Sequence, residues 1–217
     1  MSVNRQPYLD NILNRFKGNV TVAKGSLENE IYISTNKDNL VDVCTYVYNT
    51  FQSPLSSIIC NDERSLNKNF TIYYVFSLPD KDLFFIVYVP ISEQSPDFPS
   101  ITSYIPAAHW YEREIKDMFG LEPVGHPDPY TLVLHGNMPE NTYPLRKDFD
   151  TNTRLPHLES KLPFARVDGE GVFEIPVGPI HAGIIEPGHF RFSAIGDTIL
   201  YLDAKLFYTH KGTEKLF

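Results

Sequence analysis

The side chains best suited to acid–base or binding chemistry lie together at 109–120, in the run His-Trp-Tyr-Glu-Arg-Glu-Ile-Lys-Asp-Met-Phe-Gly. Helical side chains four residues apart share a face, and here that spacing would form two polar rows: His109, Arg113 and Asp117, and next to them Glu112 and Lys116. Glu114 would share its row with Trp110 and Met118. We therefore expect the Glu114 carboxylate to lie toward an apolar face, where it needs a donor or an elevated pKa.

Two interpretations of this stretch follow from its residue types. The first is an acid–base site, because paired carboxylates can divide acid and base roles. A stand-alone hydrolase of this kind would use the following side chains: Glu112, Glu114 or Asp117 with His109 or His126. The second interpretation is a salt-bridged helix packed at a protein interface. The sequence contains no recognisable nucleophile, phosphate cradle or metal cluster that would favour the hydrolase.

A second polar group lies in a stretch that prolines hold in place. It is made of Gly-His-Pro-Asp at 125–128, which contains His126 and Asp128, and of Tyr-Pro-Leu-Arg-Lys-Asp-Phe at 143–149. We expect Arg146 and Asp148 to be anchors, because the rigid fork of a guanidinium binds a carboxylate or a backbone carbonyl. We interpret the polar residues of both runs as interface or structural residues.

Composition excludes several classes of function. The 217-residue chain is 42% hydrophobic and carries a net charge of −8, whereas a nucleic-acid binder needs a basic footprint. Its apolar runs, such as residues 83–91, are far shorter than the roughly 20 residues of a membrane span, and the start of the chain does not resemble a secretory signal. Cys44 and Cys60 are too few and too far apart for a disulfide framework, a zinc site or an iron–sulfur site. We expect buried thiols in a reducing compartment and no metal bound by this chain.

The spacing of apolar residues predicts three helices. The first covers residues 7–17 and the second begins near Asn36 or Asp38 and continues to about residue 51. The third runs from about residue 107 to residue 119 and ends at Gly120. Each has apolar side chains at helical spacing and a residue suited to a cap or a stop.

The strands are predicted from aromatic and β-branched runs. Residues 20–34 read as one or two strands, and residues 70–76 and 83–89 as an antiparallel hairpin central in its sheet, with helices on one side and something else on the other. Residues 98–104 could form a helical turn. A short strand at 172–177 precedes a hairpin that turns at Gly196-Asp197, and the alternation after this turn marks a strand with one face on a core.

These elements predict an α+β fold. It consists of a mixed or antiparallel sheet with helices packed on it, followed by a proline-rich extended loop and a C-terminal β-hairpin. The expected domains are residues 1–150, a linker at 151–171 and a β segment at 172–217. We expect the C-terminal hairpin to pack, because an isolated hairpin is only marginally stable.

Three motifs in one order resemble the C subunit of respiratory complex I. They are Glu-Arg-Glu-x-x-Asp-Met-Phe-Gly at 112–120, Gly-His-Pro-Asp at 125–128 and Pro-Leu-Arg-Lys-Asp-Phe at 144–149. The resemblance covers roughly the first 150 residues. It implies a protein without a cofactor of its own, which packs in the peripheral arm against the large subunit and the adjoining iron–sulfur subunit.

The remaining stretch is similar to the start of the large subunit of energy-converting nickel–iron hydrogenases of the formate-hydrogenlyase type. Its motifs are the Gly/Pro-rich run at 175–192 and His-Lys-Gly-Thr-Glu-Lys at 210–215. In some hydrogenase relatives the two parts are fused in this order, which favours that branch. The resemblance places nickel and iron on two Cys-x-x-Cys pairs, and this chain contains neither. We expect a piece of a longer protein, or a truncated gene product, that ends before the first pair.

Glu186 is the catalytic candidate that this second resemblance implies. A Glu in a Glu-Gly-His segment of hydrogenases passes protons to or from the metal site, and here the segment is Glu-Pro-Gly-His at 186–189, with an inserted proline. We expect partial burial and a raised pKa to suit Glu186 to a proton relay; the alternative is a Glu that caps a turn. In the complex I branch, a His of this loop contributes to the quinone headgroup pocket, so His181 and His189 are candidates there, with a structural role as the alternative.

The function expected from both resemblances is a non-catalytic assembly and docking module of a membrane-associated redox complex. The full complex would couple electron transfer to ion translocation and would hold the nickel–iron centre and iron–sulfur clusters. Its partners would be the iron–sulfur small subunit, the remaining large subunit and, indirectly, membrane subunits, with no nucleic acid. We expect the chain in the cytoplasm, on the inner face of the membrane. The alternative is the C subunit of a quinone-reducing complex I.

Overall fold

The computed structural model describes residues 4–25, 27–156, 158–159, 166–181, 184 and 186–216, and for residues 24, 179–181 and 216 it describes only the backbone. The chain divides into two compact units, Met1–Tyr130 and Thr131–Phe217. The first unit holds most of the regular structure. Its elements are α1 (Gln6–Arg15), β1 (Val20–Lys24), β2 (Glu30–Thr35), α2 (Lys37–Thr50), β3 (Leu55–Asp62), α3 (Arg64–Asn67), β4 (Asn69–Leu78), β5 (Leu83–Ser92), β6 (Asp97–Pro99), α4 (His109–Phe119) and β7 (Glu122–Val124).

Local capping explains where two of the helices begin and end. The side chain of Asn36 accepts a hydrogen bond from the backbone N–H of Asn39, which satisfies one of the free donors at the start of α2. Helix α4 ends at Gly120, whose φ of 69° lies in the left-handed region that glycine adopts without steric cost. Both ends agree with the sequence prediction.

The first unit is built on a five-stranded sheet with the order β1-β2-β5-β4-β3. Strands β2 and β5 are parallel, and the other neighbours are antiparallel. The predicted hairpin is therefore confirmed: β4 and β5 pair with each other and lie inside the sheet. Phe70 and Phe85 on one face of these strands are fully buried, whereas Tyr73 and Tyr88 on the other face are half buried.

The sequence prediction missed strand β3, helix α3 and the short strands β6 and β7 of this unit. Strand β3 was not predicted, because its serines and its C-terminal Asn-Asp interrupt the apolar pattern; it forms the edge of the sheet, where polar residues are tolerated. The stretch predicted as a helical turn at 98–104 begins in β6, a short strand parallel to β7, and then does form a helical turn, in which the N–H groups of Tyr104 and Ile105 both donate to the carbonyl oxygen of Ile101.

The helices cover one face of the five-stranded sheet and form the core with it. The ring of Phe85 on β5 contacts Tyr8 of α1 and stacks on Phe51 at the end of α2, with centroids 5.6 and 5.0 Å apart. Phe70 of β4 meets Phe119 of α4 edge to face at 6.4 Å. Burial of each such ring stabilises the fold by about 1.5–3 kcal/mol.

The second unit contains a three-stranded antiparallel sheet and irregular chain. Its strands are β8 (Val172–His181), β9 (Gly188–Ile195) and β10 (Thr198–Lys205), in the order β10-β9-β8. In the described part of residues 131–171 there is no strand or helix, which agrees with the predicted proline-rich loop. The predicted hairpin, β9 and β10 joined at Gly196, is confirmed, and β8 adds a third strand that is longer than predicted.

The architecture confirms the predicted α+β class, but one detail of the prediction was wrong. We expected the alternating strand after Gly196 to place its apolar face on a core, but Leu202 on that face is half exposed. The boundary between the two units follows Tyr130, inside the first predicted domain, and the domain limits at 150 and 171 stay a prediction. Among the described residues, no helix has the length and apolarity needed to cross a membrane.

Candidate functional site

Helix α4 carries a fully buried carboxylate, that of Glu112. The loop before the helix supplies three donors to it. The hydroxyls of Ser100 and Thr102 donate to Oε2 at 2.5 and 2.6 Å, and the backbone N–H of Ile101 donates to Oε1 at 2.8 Å. A buried carboxylate is tolerated only when hydrogen bonds satisfy it, so these contacts fix the helix against the loop.

The phase of α4 differs from the sequence prediction. Glu112 lies on the buried side with Ala108 and Ile115, whereas Trp110 is 52% exposed. Glu114, which was predicted to lie toward the apolar face, is only half buried. The reason is that the helix turns the face of Ala108, Ile115 and Phe119 toward the core.

His126 extends this polar cluster from the Gly-His-Pro-Asp motif. Its Nδ1 accepts the backbone N–H of Asp128 at 3.0 Å, so the ring proton is on Nε2, which donates to the carbonyl oxygen of His109 at 3.1 Å. The same Nε2 lies 3.9 Å from Oε2 of Glu112. The two motifs at 112–120 and 125–128 are thus joined around one buried carboxylate.

Asp128 joins two residues of the predicted polar row. Its Oδ2 lies 3.6 Å from Nε2 of His109 and 3.4 Å from a terminal nitrogen of Arg113. Arg113 also donates from Nε to the carbonyl oxygen of Tyr130 at 2.8 Å. Burial lowers the pKa of His109, and the neighbouring His126 and Arg113 lower it further, while Asp128 acts in the opposite direction. Asp117, the third residue of the row, is buried elsewhere on the helix.

The carboxylate of Glu112 is not placed to act as the acid or base of a hydrolytic centre. The oxygens of Glu112 already accept three hydrogen bonds and have no exposure, so a substrate cannot reach them. Ser100 and Thr102 were not predicted as site residues. The signal available in the sequence was the pair of hydroxyl residues around Ile101, a short distance before a helix that carries acidic residues.

In the second unit, a lysine joins the two motifs that the sequence placed far apart. The ammonium group of Lys215 donates to the carbonyl oxygens of Pro144, Arg146 and Phe149, at 3.1, 2.7 and 2.5 Å. It also lies 5.0 Å from the centroid of the Phe149 ring. An ammonium group has three N–H donors, and each has a carbonyl partner here, so the loop at 144–149 holds residues 210–215 in place. We call this arrangement the lysine clamp.

Two further contacts support the lysine clamp. Arg146 places its guanidinium 4.2 Å from the ring centroid of Tyr143, while Asp148 is exposed. His135, which was not predicted, has Nε2 at 2.5 Å from the carbonyl oxygen of Leu206. Since His135 and Leu206 are 71 residues apart, no local pattern could have identified this pair.

The structure places the remaining candidates around the β8–β9 connection. Glu186 is exposed, contrary to the expected burial, and its Oε2 accepts the hydroxyl of Thr209 at 3.3 Å. His189 lies on β9, and its pKa is lowered by burial and then by Arg191 and Lys205. The backbone of His181 ends β8, and its side chain lies outside the described part of the chain.

The residues of this chain do not fit a nickel–iron centre. Such a centre needs several thiolates, and the chain has two cysteines without the Cys-x-x-Cys spacing. Burial, and next the charge of Glu112, raise the pKa of Cys44 well above its ordinary value, so this group stays a thiol. Cys60 lies half buried on the edge strand β3.

A comparison with known protein families identifies the class of this protein. The chain belongs to the family described as the 30 kDa subunit of the respiratory-chain NADH dehydrogenase, which matches residues 33–155, more than half of the chain. The predicted resemblance of the first part to the corresponding complex I protein is therefore confirmed.

Particular relatives extend the match to the rest of the chain. The chain is 39% identical to hydrogenase-4 component G of Escherichia coli K12, over 93% of this chain and 37% of the relative. It is 36% identical to formate hydrogenlyase subunit 5 of the same organism, over 97% of this chain and 38% of the relative. It is 31% identical to the C/D subunit of an NADH-quinone oxidoreductase of Bacteroides thetaiotaomicron, over 57% of this chain and 26% of the relative. The chain thus spans less than two fifths of these relatives.

A solved structure confirms the fold. A chain of an archaeal respiratory membrane complex, the membrane-bound sulfane sulfur reductase, matches with a TM-score of 0.53 and 21% identity, over 68% of this chain and 86% of that chain.

Replacing Glu112 tests the buried cluster. Glu112→Ala should lower the free energy of unfolding by about 3 kcal/mol or more, because each buried donor left without a partner costs about 1–3 kcal/mol. Glu112→Gln keeps one acceptor oxygen and should cost about 1–2 kcal/mol. The control is Glu122→Ala, which removes a surface pair with Lys116 and should cost less than about 1 kcal/mol. Equal losses for Glu112→Ala and the control, measured by denaturant unfolding, would contradict the role of Glu112.

Replacing Lys215 tests the lysine clamp. Lys215→Met should accelerate amide hydrogen exchange in residues 144–149 and 210–215 by about tenfold, which corresponds to about 1.4 kcal/mol of local stability. Lys215→Arg should not restore protection, because a planar guanidinium cannot direct three donors as an ammonium group does. Lys211→Met, at an exposed position in the same segment, is the matched control and should leave exchange unchanged. Unchanged exchange in Lys215→Met would disprove the clamp.

Proposed function

We propose that this chain is an assembly and docking module in the peripheral arm of a membrane-associated hydrogenase complex of the formate-hydrogenlyase type. One observation carries the proposal. The two Escherichia coli hydrogenase relatives align with 93% and 97% of the chain, whereas the NADH-quinone oxidoreductase relative aligns with 57%. If this chain belonged to the NADH-quinone branch, we would expect that relative to align with a larger share of the chain.

The lysine clamp supplies a physical basis for the module. Its loop belongs to the motif that resembles the complex I family, and Lys215 belongs to the motif that resembles the start of the hydrogenase large subunit. In this proposal the first part of the chain holds the start of the large subunit in place. The nickel–iron centre and the iron–sulfur clusters belong to the remaining large subunit and the small subunit, and this chain is not catalytic by itself.

The partners and location follow from the same proposal. The module docks onto the iron–sulfur small subunit and the remaining large subunit, and it reaches the membrane subunits only through them, on the inner face of the cell membrane. The half-exposed face of Trp110 and Glu114 on α4 is our candidate contact for a partner, since aromatic residues are enriched at interfaces.

Purification through a tag on this chain, from the organism that encodes it, tests the function. We expect an iron–sulfur subunit and a large subunit to be recovered with it, together with nickel and hydrogen-dependent dye reduction. Recovery of flavin and NADH-dependent quinone reduction without nickel would favour the alternative, a C subunit of complex I. Stoichiometric nickel, iron or flavin on the isolated chain would contradict a non-catalytic module.

Glu186 is the proton-relay candidate within this function. Its carboxylate is exposed and accepts the hydroxyl of Thr209, one residue before the 210–215 motif. Glu186→Gln should lower hydrogen-dependent activity of the purified complex at least tenfold without changing its nickel content or the set of proteins it contains, because an amide cannot carry the proton. Glu186→Asp should restore part of the activity, and Glu170→Gln, at another exposed site, should have no effect. Full activity in Glu186→Gln would exclude the relay.

A further inference from the structure

One face of the three-stranded sheet in the second unit carries three adjoining rows of apolar residues. Residues paired directly across antiparallel strands lie on the same face, and the register of β8, β9 and β10 gives three such rows. We call this the apolar face, and its residues are Phe173, Ala194 and Ile199; Ile175, Phe192 and Leu202; and Val177, Phe190 and Ala204.

Most of the large side chains on the apolar face are open to solvent. The exposed fractions are 46% for Phe173, 43% for Ile175, 59% for Ile199 and 47% for Leu202. Single exposed apolar residues are common on proteins, but a contiguous group of this kind marks an interaction site. The four residues come from both edge strands, so the exposure lies along both edges of the face, while Ala194 of the central strand is 4% exposed.

The opposite face of the same sheet carries the polar side chains; its edge residues Glu174 and Tyr201 are exposed, while residues of its central strand are more buried. Ser193 is only 1% exposed, and Nε2 of His189 and Nε of Arg191 are closed to solvent. Arg191 also pairs with Glu174 at 3.8 Å. A sheet usually buries its apolar side and leaves its polar side in water, whereas here the edge residues of the apolar face are as exposed as those of the polar face. Within the described part of the chain, the apolar face is therefore incompletely covered.

The size of the apolar face argues against a second copy as its cover. Three strands about 4.8 Å apart and about 20 Å long present roughly 300 Å². A stable interface buries about 800 Å² on each partner, so two copies joined through this face alone would fall short. The occupant must continue beyond the face onto other parts of the same assembly.

The relatives supply an occupant of the required size. The two Escherichia coli proteins align with nearly all of this chain but with 37% and 38% of their own length. More than three fifths of each is therefore polypeptide with no counterpart here. The apolar face carries no charge, so it fits an apolar surface and not a basic or acidic one.

We infer that the apolar face is the docking surface for the part of the large-subunit polypeptide that has no counterpart in this chain. The inference rests on the proposed function, and it applies whether that polypeptide continues the same chain or is a separate subunit. It assigns the β8–β10 sheet a task besides holding the 186–189 segment, because the apolar face accepts the remaining part of the large subunit.

Photo-crosslinking in the complete complex tests this assignment. A photoreactive phenylalanine analogue is placed at Phe173 or at Leu202, both on the apolar face, and in a control variant at Tyr201. Tyr201 is the matched control because it adjoins Leu202, has a similar exposure of 43%, and pairs with Ser193 on the polar face. After irradiation of the purified complex, mass spectrometry identifies the linked peptides.

The expected crosslinks from positions 173 and 202 are to large-subunit peptides outside the region matched by this chain, with at least tenfold less of that product from position 201. Crosslinks to a second copy of this chain or to the iron–sulfur subunit would overturn the assignment, and so would their absence in a complex that contains the large subunit. Recovery of a complex that contains no hydrogenase-type large subunit would instead contradict the proposed function, and the assignment would fail with it. The analogue at Phe173 is close to the native residue, so the measurement does not depend on a destabilising variant.

Discussion

A carboxylate with no access to water must receive hydrogen bonds from the protein, and this requirement organises the most informative part of the first unit. Glu112 meets it with the hydroxyls of Ser100 and Thr102 and the N–H of Ile101. Because removal of one partner from a buried polar cluster leaves the others unsatisfied, these contacts bind α4 to the loop before it. His126 then attaches the Gly-His-Pro-Asp motif to the same centre through the carbonyl oxygen of His109. A motif that looked like acid–base machinery is thus a set of structural contacts.

The second unit depends on a cation, the ammonium group of Lys215, that donates hydrogen bonds to backbone carbonyl oxygens. The three carbonyl partners of Lys215 lie 66 to 71 residues earlier in the chain. Closing so long a loop costs conformational entropy, and three charge-assisted hydrogen bonds offset that cost. The outcome is that a loop from one of the two motif groups holds the segment of the other, which gives a physical reason for keeping the two parts on one chain.

The apolar face of the C-terminal sheet shows what strand periodicity predicts and what it leaves open. Strand periodicity correctly located β9, its turn at Gly196 and β10. It could not say which face is covered, because an alternating pattern states only that two faces differ. In this chain Leu202 on the apolar face is 47% exposed, much as Tyr201 on the polar face is at 43%. The alternation therefore does not mark a covered face here, and we assign the apolar face to a partner.

The sequence by itself determined the helices and most strands, the caps at Asn36 and Gly120, the order of the motifs and the family they belong to. These depend on local backbone preferences and on side-chain spacing within a few residues, which the sequence states directly. Only the tertiary structure decided that Glu112 and not Glu114 is buried, that Lys215 reaches the loop at 144–149, and that Glu186 is exposed. The physical reason is that each of these outcomes depends on the phase of an element against its neighbour or on partners far along the chain. The interaction energies that decide these outcomes arise only once the chain is packed.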